Sequence, residues 1–354
     1  MEKLISRRYK ERPMPEGYIF PPDVRPGKLT VVPLCNNTIP VIDLGLDGEG
    51  AAQACDIVDQ ILEASQEFGF FQVIKHGISE NLLKETVGLL KELFQELPDE
   101  DIASLYSDDP NKSCRLFTST SGENFDAEPV HFWRDSLKHP CHPLSEECYQ
   151  LWPKKPTRYR DVVGECSTQV RELAWKILEL MSQGLGLGPG LGPGYFRGEV
   201  SQEMLLSANY YPPCPEPSLT LGLPKHGDPN LLTILLQGDD HVSGLQVLKD
   251  GEWISVVPFP HALVVNVGYQ LQVISNGKLK SSEHRVVTNS SAARISAGFF
   301  VMPSHDCLIE PAATLINASN PQLYKGFPYK DFFLNFGKTL GKTEQVLDRF
   351  KLQG

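Results

Sequence analysis

The sequence predicts an α+β protein with a double-stranded β-helix, or jelly-roll, core flanked by helices. Short apolar runs follow one another after Glu199: MLLSANYY, LLTILLQ, GLQVL, WISVV, HALVVNV, LQVIS, HRVVT and ISAGFFVM. Turn residues separate them at intervals of roughly ten, the spacing of an all-β sandwich, and their number suits two packed sheets. The preceding half carries long amphipathic stretches with helical period instead. With 354 residues, 41% hydrophobic and 22% charged, the chain buries a sizeable core without disulfides.

Residues 1–34, rich in charge, Pro and Gly, read as an extended N-terminal arm. Residues 35–155 form a mixed helical and strand region. TIPVIDLGL is a strand, the stretch LDGEG a loop, and Ala51 to Phe68 a helix capped by Gly69. FGFFQVIKHG is a second strand, followed by an amphipathic helix opened by Ser79 and ended by Pro98. From 100 to 155 no sustained period appears, the texture of long loops that line binding sites. In residues 156–199, Cys166, Val170, Leu173, Ile177 and Met181 mark a long helix from Tyr159 to Met181, stopped by Gly184. GLGLGPGLGPG then reads as a connector, because it holds no phosphate-loop pattern and its prolines remove N–H donors. Residues 200–305 form the jelly-roll core and 306–354 a C-terminal helical segment.

The formal net charge of −11 offers no basic stripe, which argues against a nucleic-acid partner. Charge and proline break any apolar run in MEKLISRRYKERPMPEG, so neither a secretory leader nor a membrane span is expected there. The eight cysteines form no C-x-x-C pair. A cytosolic monomer with free thiols and a small-molecule substrate is the expectation.

In His226-Gly227-Asp228 the residues at i and i+2 of an extended chain face the same way and can grip one metal ion. His284, opening HRVV on a separate strand, is the candidate third ligand. Two imidazoles and one carboxylate make the facial triad of non-haem Fe(II) oxygenases, with coordination positions left open. Arg294 and Ser296 share one face of an otherwise apolar strand, a fork and a hydroxyl suited to a carboxylate such as that of 2-oxoglutarate. An internal salt bridge is the alternative for Arg294. By strand parity Phe300 shares that face and looks into the cavity, with Gly298 leaving room beside it. Phe117, Phe125 and Phe132 are candidate walls on an irregular lid.

The chain resembles the plant 2-oxoglutarate/Fe(II)-dependent dioxygenases of specialised and hormone metabolism from about Ile39 to Phe333. The shared marks are GFFQVIKHG, FWRD, ANYYPPCPEP, HGDPNLLTILLQ, GLQVLKDGEWISVVP, ISNGKLKSSEHRVV, RIS and NPQLYKGFPYKDF. The resemblance implies that His226, Asp228 and His284 bind Fe(II) and that Arg294 and Ser296 bind the co-substrate carboxylate. It also implies that Tyr211 and Asn209 support that ligand, that O2 is consumed and that ascorbate serves as reductant. The implied reaction hydroxylates, desaturates or cyclises a small metabolite, releasing succinate and CO2. WRDSLKHPCHPL and HGDPN look most like the branch acting on alkaloids and amino-acid-derived compounds. Departures from the family pattern are Gly227, where Thr, Ser or Tyr is commoner, Tyr269, where many members carry an acid, Lys75 in place of Asn, and the Gly/Pro-rich insertion near 186–194. Two other readings stay open: a same-fold oxidase that does not use 2-oxoglutarate, and a non-catalytic metal-binding jelly roll.

Overall fold

Alternation of apolar and polar residues along the central strands sorts their side chains onto two faces, and two facing sheets result. In the computed structural model, residues 3–8, 13–26, 38–45, 51–119, 125–188, 194–238, 242–337 and 344–352 are described. The strands of the two main sheets are β1 Val41–Asp43, β2 Phe70–Ile74, β3 Arg115–Thr118, β4 Asp135–His142, β5 Glu203–Tyr211, β6 Leu221–His226, β7 Leu232–Gln237, β8 Leu245–Lys249, β9 Glu252–Ser255, β10 Leu263–Val267, β11 His284–Val287 and β12 Arg294–Met302; Leu308–Ile309 and Phe327–Pro328 pair as a separate two-stranded sheet. The helices are α1 Ile5–Arg8, α2 Ala51–Glu67, α3 Glu80–Gln95, α4 Asp99–Leu105, α5 Glu146–Leu151, α6 Tyr159–Leu185, α7 Tyr269–Ile274, α8 Tyr329–Phe336 and α9 Glu344–Asp348. The larger sheet runs β1-β2-β10-β7-β12-β5-β4-β3 and the smaller β6-β11-β8-β9. Among the described strands of these two sheets, the β1–β2 pair alone is parallel. This is the jelly roll that the sequence predicts, with helices on the outer face of the larger sheet.

The two faces of β12 show how the core is partitioned. Ile295, Ala297, Phe299 and Val301 join Ile61, Leu90, Val170 and Ile177 in the apolar layer under α2, α3 and α6. Arg294, Ser296, Gly298 and Phe300 occupy the opposite face, as period two demands. The neighbours agree: Tyr211 of β5 packs with Leu245, Val247 and Val286 of the smaller sheet, whereas Leu206, Ala208 and Tyr210 lie on the helix side. The seam between the sheets therefore receives polar side chains on a rigid, two-sided support.

Four readings of the sequence differ from the structure. LQVIS is α7, not a strand: backbone N–H groups of Gly268 and Tyr269 bond to Leu231 O and Asp228 O, and Leu271, Val273 and Ile274 are all buried. A five-residue apolar run fits either period, and here tertiary hydrogen bonds decide. The eighth strand of the roll is β6, whose Gly222, Pro224 and Lys225 hide the apolar signal. It is held by pairing with β11, His226 opposite His284. Helix α6 runs through Gly184, where Leu62 and Val58 pack against the space a Cβ would need, and ends at Gly186 with φ 68°. The stretch from 100 to 155 contains α4, β3, β4 and α5, and β1 to β4 belong to the same sheet as β5, β7, β10 and β12, so the regions 35–155 and 200–305 interleave. Of the Gly/Pro-rich connector, 189–193 lie outside the described residues, as do 46–50 of the predicted loop and much of the arm.

Phe299 is fully buried under the helices. Phe299→Ala is expected to destabilise the protein by about 3–5 kcal/mol, and Phe300→Ala by well under half of that, in chemical denaturation. The reverse order would mean that the two faces are exchanged.

Candidate metal and co-substrate site

His226 ends β6, Asp228 follows it, and His284 opens β11 directly opposite, so one strand pairing assembles all three residues. Their potential ligand atoms lie within 4.8 Å of one another. Asp228 Oδ1 is 3.6 Å from His226 Nε2 and 3.6 Å from His284 Nε2. Asp228 Oδ2 accepts hydrogen bonds from Thr233 Oγ1 at 2.6 Å and Asn266 Nδ2 at 2.7 Å, which turns Oδ1 toward the imidazoles.

His226 Nδ1 lies 2.9 Å from Pro224 O and His284 Nδ1 lies 3.2 Å from Ser282 O. A carbonyl can only accept, so each ring carries its proton on Nδ1 and presents the Nε2 lone pair to the common point. Such outer partners fix the orientation of metal-binding histidines. Burial, with His284 beside it, pushes His226 down to about 3, which keeps it neutral and able to ligate at neutral pH. Burial opposes ionisation of Asp228, but His284, His226 and the Thr233 and Asn266 hydrogen bonds outweigh it and hold the carboxyl below its usual range. A buried carboxylate oxygen facing two imidazole Nε2 atoms is a donor set that a divalent ion fits.

The larger sheet supplies a row of polar residues on its inner face. Across it Ser136, Asn209, Ser296 and Gln237 stand in register, and Arg294 pairs with Tyr211. Arg294 is buried, donates to Gln237 Oε1 at 3.0 Å, and holds its guanidinium 5.3 Å from the Tyr211 ring centre. Its Nε has no hydrogen-bond partner, and among the described residues no carboxylate pairs with it. The internal salt bridge that could have explained this arginine is thus absent there, and burial pushes the guanidinium below its usual range. Asn209 Oδ1 accepts from Ser136 Oγ at 2.5 Å and Arg134 Nη1 at 3.2 Å.

Phe300 shares the face of Arg294 and Ser296, and its ring leans over Gly298, where an added Cβ would come 2.9 Å from Cε2. Phe117 is a β3 residue on the sheet, not part of an irregular lid, with Arg115 stacked on it at 4.2 Å. Phe125 stacks on His131 at 3.7 Å, and Phe132 on Phe20 of the arm at 6.2 Å. Phe132 also lines a cavity of about 610 Å³ with Phe20, Val24, Leu248, Trp253 and Arg285. Leu248 and Arg285 alternate with the inward Val247 and His284, so this cavity lies on the outer face of the smaller sheet, away from the triad's donor atoms. Thr233, Asn266, Gln237, Ser136 and Arg134 contact the site and had no role in the sequence reading. Asn266 inside LVVNV and Gln237 closing LLTILLQ were visible as polar residues in apolar strands; Arg134 stood inside the quoted FWRD.

Two departures from the family pattern have one cause. A Cβ on Gly227 would lie 2.6 Å from the Tyr269 hydroxyl and 2.7 Å from its Cζ. Tyr269 fills the space that a side chain at 227 would take, so the glycine and the tyrosine are a steric pair.

A jelly roll that presents two imidazoles and a carboxylate on one side of its seam, and on the other a buried arginine with no carboxylate partner among the described residues, has the layout of a mononuclear metal oxygenase of the carboxylate-co-substrate class. Residues 202–303 match the 2OG-Fe(II) oxygenase superfamily, and residues 39–155 the N-terminal region described as non-haem dioxygenase in morphine synthesis. The chain is 42% identical over 339 residues to flavanone 3-dioxygenase 2 of Oryza sativa subsp. japonica, covering 96% of this chain and 94% of that one. It is 40% identical to hyoscyamine 6-dioxygenase of Hyoscyamus niger, covering 94% of each. The crystal structure of JOX2 in complex with 2OG, Fe and JA superposes with a TM-score of 0.82 at 32% identity, covering 99% of this chain and 98% of that one. The chain belongs to the 2-oxoglutarate- and Fe(II)-dependent oxygenase superfamily. It is an oxidoreductase that uses Fe(II) and 2-oxoglutarate, which removes the alternatives of an oxidase without 2-oxoglutarate and of a silent binding module.

Gly227→Ala is expected to cost about 1–3 kcal/mol by overpacking against Tyr269. Adding Tyr269→Leu should recover part of that cost, a coupling of about 0.5–3 kcal/mol in a denaturation double-mutant cycle. Simple additivity of the two substitutions would separate the residues.

Proposed function

We propose that His226, Asp228 and His284 hold the iron, that Arg294 and Ser296, with Tyr211 and Asn209 behind them, hold the distal carboxylate of 2-oxoglutarate, and that the enzyme oxidises a C–H bond of a small plant-type metabolite in the cytosol. The observation that carries this reading is the buried Arg294, which lacks a carboxylate partner among the described residues and stands across the seam from the triad. When bound, iron and 2-oxoglutarate supply the oxidising power, O2 being consumed as the co-substrate loses CO2 and becomes succinate.

The chain's own residues do three things. The triad spends three protein donor atoms on the metal and leaves positions for exchangeable ligands. Arg294 forks onto a carboxylate with Ser296 beside it, fixing one end of an elongated co-substrate so that the other points to the triad. The inner-face aromatics Phe300 and Phe117 wall the space where a substrate carbon would be held, whereas Phe132 packs on Phe20 at the cavity on the outer face of the smaller sheet. Hydroxylation, desaturation and ring closure all begin with removal of one hydrogen, so the position of that carbon sets the product. The net charge of −11 supports a protein that works without nucleic acid, and among the described residues no helix is long and apolar enough to cross a membrane.

Relatives at similar identity carry names that cite a flavanone, hyoscyamine and 2'-deoxymugineic acid. Those names span unlike molecules, and the substrate must be read from the pocket of this chain.

His226→Ala, Asp228→Ala and His284→Ala are each expected to lose bound iron and 2-oxoglutarate turnover while keeping the fold, measured by metal analysis and succinate release. Iron content and turnover at the wild-type level in any one would remove that residue from the site. Arg294→Lys keeps the charge but loses the fork, and should raise the half-saturating 2-oxoglutarate concentration by about 10- to 100-fold. An unchanged value would sink the carboxylate assignment.

A further inference from the structure

The inner face of the larger sheet continues beyond the co-substrate row. One register step along, Leu235, Gly298, Ser207, Lys138 and Arg115 stand side by side across β7, β12, β5, β4 and β3. Parity places Lys138 and Arg115 inward: Ser136 bonds Asn209 on that face, while Leu116 and Leu137 lie in the helix-side core. Between Gly298 and Lys138 stands only Ser207, so the row has small side chains near the triad and two cations at its far end. Neighbouring strands are about 4.8 Å apart, which puts Lys138 roughly 10 Å from Gly298 at the backbone.

Among the described residues these cations have no carboxylate within ion-pair distance. Among the described residues Lys138 makes no ion pair and no hydrogen bond through its ammonium. Arg115 is 4% exposed, its Nη1 has no partner, and its guanidinium rests on the Phe117 ring. Asp108 and Asp109 act on Arg115 only at longer range, and Asp108 is bonded to Lys3 and to the Tyr106 hydroxyl. Burial, with Arg115 and Arg134 nearby, pushes the Lys138 ammonium down to about 8. Two like charges on adjacent strands of an interior face repel each other, and a bound anion relieves that repulsion.

We propose that Lys138 and Arg115 form the subsite for a carboxylate on the substrate, so that the enzyme acts on a small organic acid whose apolar body lies over Ser207, between Phe117 and the Phe300 ring that covers Gly298. This rests on the reading of the triad and the Arg294 row given above and names the substrate class for that site. It excludes cationic alkaloids, which two uncompensated cations would repel, and keeps amino-acid-derived acids.

The test uses the full chain loaded with Fe(II) and saturating 2-oxoglutarate under nitrogen. Phenylacetate, cinnamate and hexanoate are titrated calorimetrically against their primary amides, which match them in shape and lack the charge. At least one acid should bind about tenfold or more tighter than its amide, the range of a charge-assisted hydrogen bond. Lys138→Met should reduce that preference to less than about threefold while leaving 2-oxoglutarate affinity unchanged, and Lys138→Arg should retain it. Equal binding of acids and amides, no binding of any acid, or a preference that survives in Lys138→Met would each overturn the proposal. Loss of 2-oxoglutarate binding by the unsubstituted protein would instead strike the underlying site reading, so the two failures are distinguishable.

Discussion

The carboxylate of Asp228 is buried where it has no right to be charged without help, and much of the molecule is arranged around that fact. One oxygen is held by Thr233 from β7 and Asn266 from β10, and the other faces the two imidazoles. Those donors come from neighbouring strands of the larger sheet, while His226 and His284 belong to paired strands of the smaller one. The site thus ties the two layers of the roll together. Removing any one partner would leave a buried charge or a buried donor unmatched, which is costly in a low-dielectric seam. The helices on the far face serve this by fixing the larger sheet: with Phe299 and its neighbours locked under α6, the alternate residues of β12 have one direction left to point.

Much of this was legible in the sequence because period two is a strong constraint. His226 and Asp228, Arg294 and Ser296, and Phe299 against Phe300 could be sorted onto faces from parity alone, and Asn209 sits opposite Ser296 as that sorting requires. Strand-by-strand reading failed where local signal and tertiary context disagree. LQVIS has the composition of a strand, and becomes a helix because Gly268 and Tyr269 are tethered to the loop after Asp228. Strand β6 has little apolar signal and exists because β11 pairs with it. The residues that hold Asp228 and Asn209 in place could not be assigned from spacing, since their partners are 5 to 75 positions away in the chain. What did show was a mark: Asn266 and Gln237 are polar where the run is apolar.

Departures from the family pattern also acquire physical content. Gly227 and Tyr269 compensate each other in one small volume. Lys75 stands where asparagine is usual and has φ 47°, a left-handed conformation that asparagine tolerates better, with its ammonium 2.7 Å from Asp43. Lys138 belongs to the stretch WRDSLKHPCHPL that resembles one branch of the family, and it stands beside Arg115 on the inner face of the larger sheet. Chemistry at the metal is common to the superfamily, so selection of substrate falls to such residues.

On the reading proposed above, one seam holds a metal and a fork for the far end of 2-oxoglutarate at the same time. Anaerobic addition of 2-oxoglutarate to the Fe(II)-loaded protein, followed by visible absorption, tests this directly, because a metal-to-ligand charge-transfer band develops only when the co-substrate's carboxylate and keto oxygens both bind the iron. Such a band is expected, saturating at one 2-oxoglutarate per iron. Iron that binds without any band on addition of 2-oxoglutarate would contradict it.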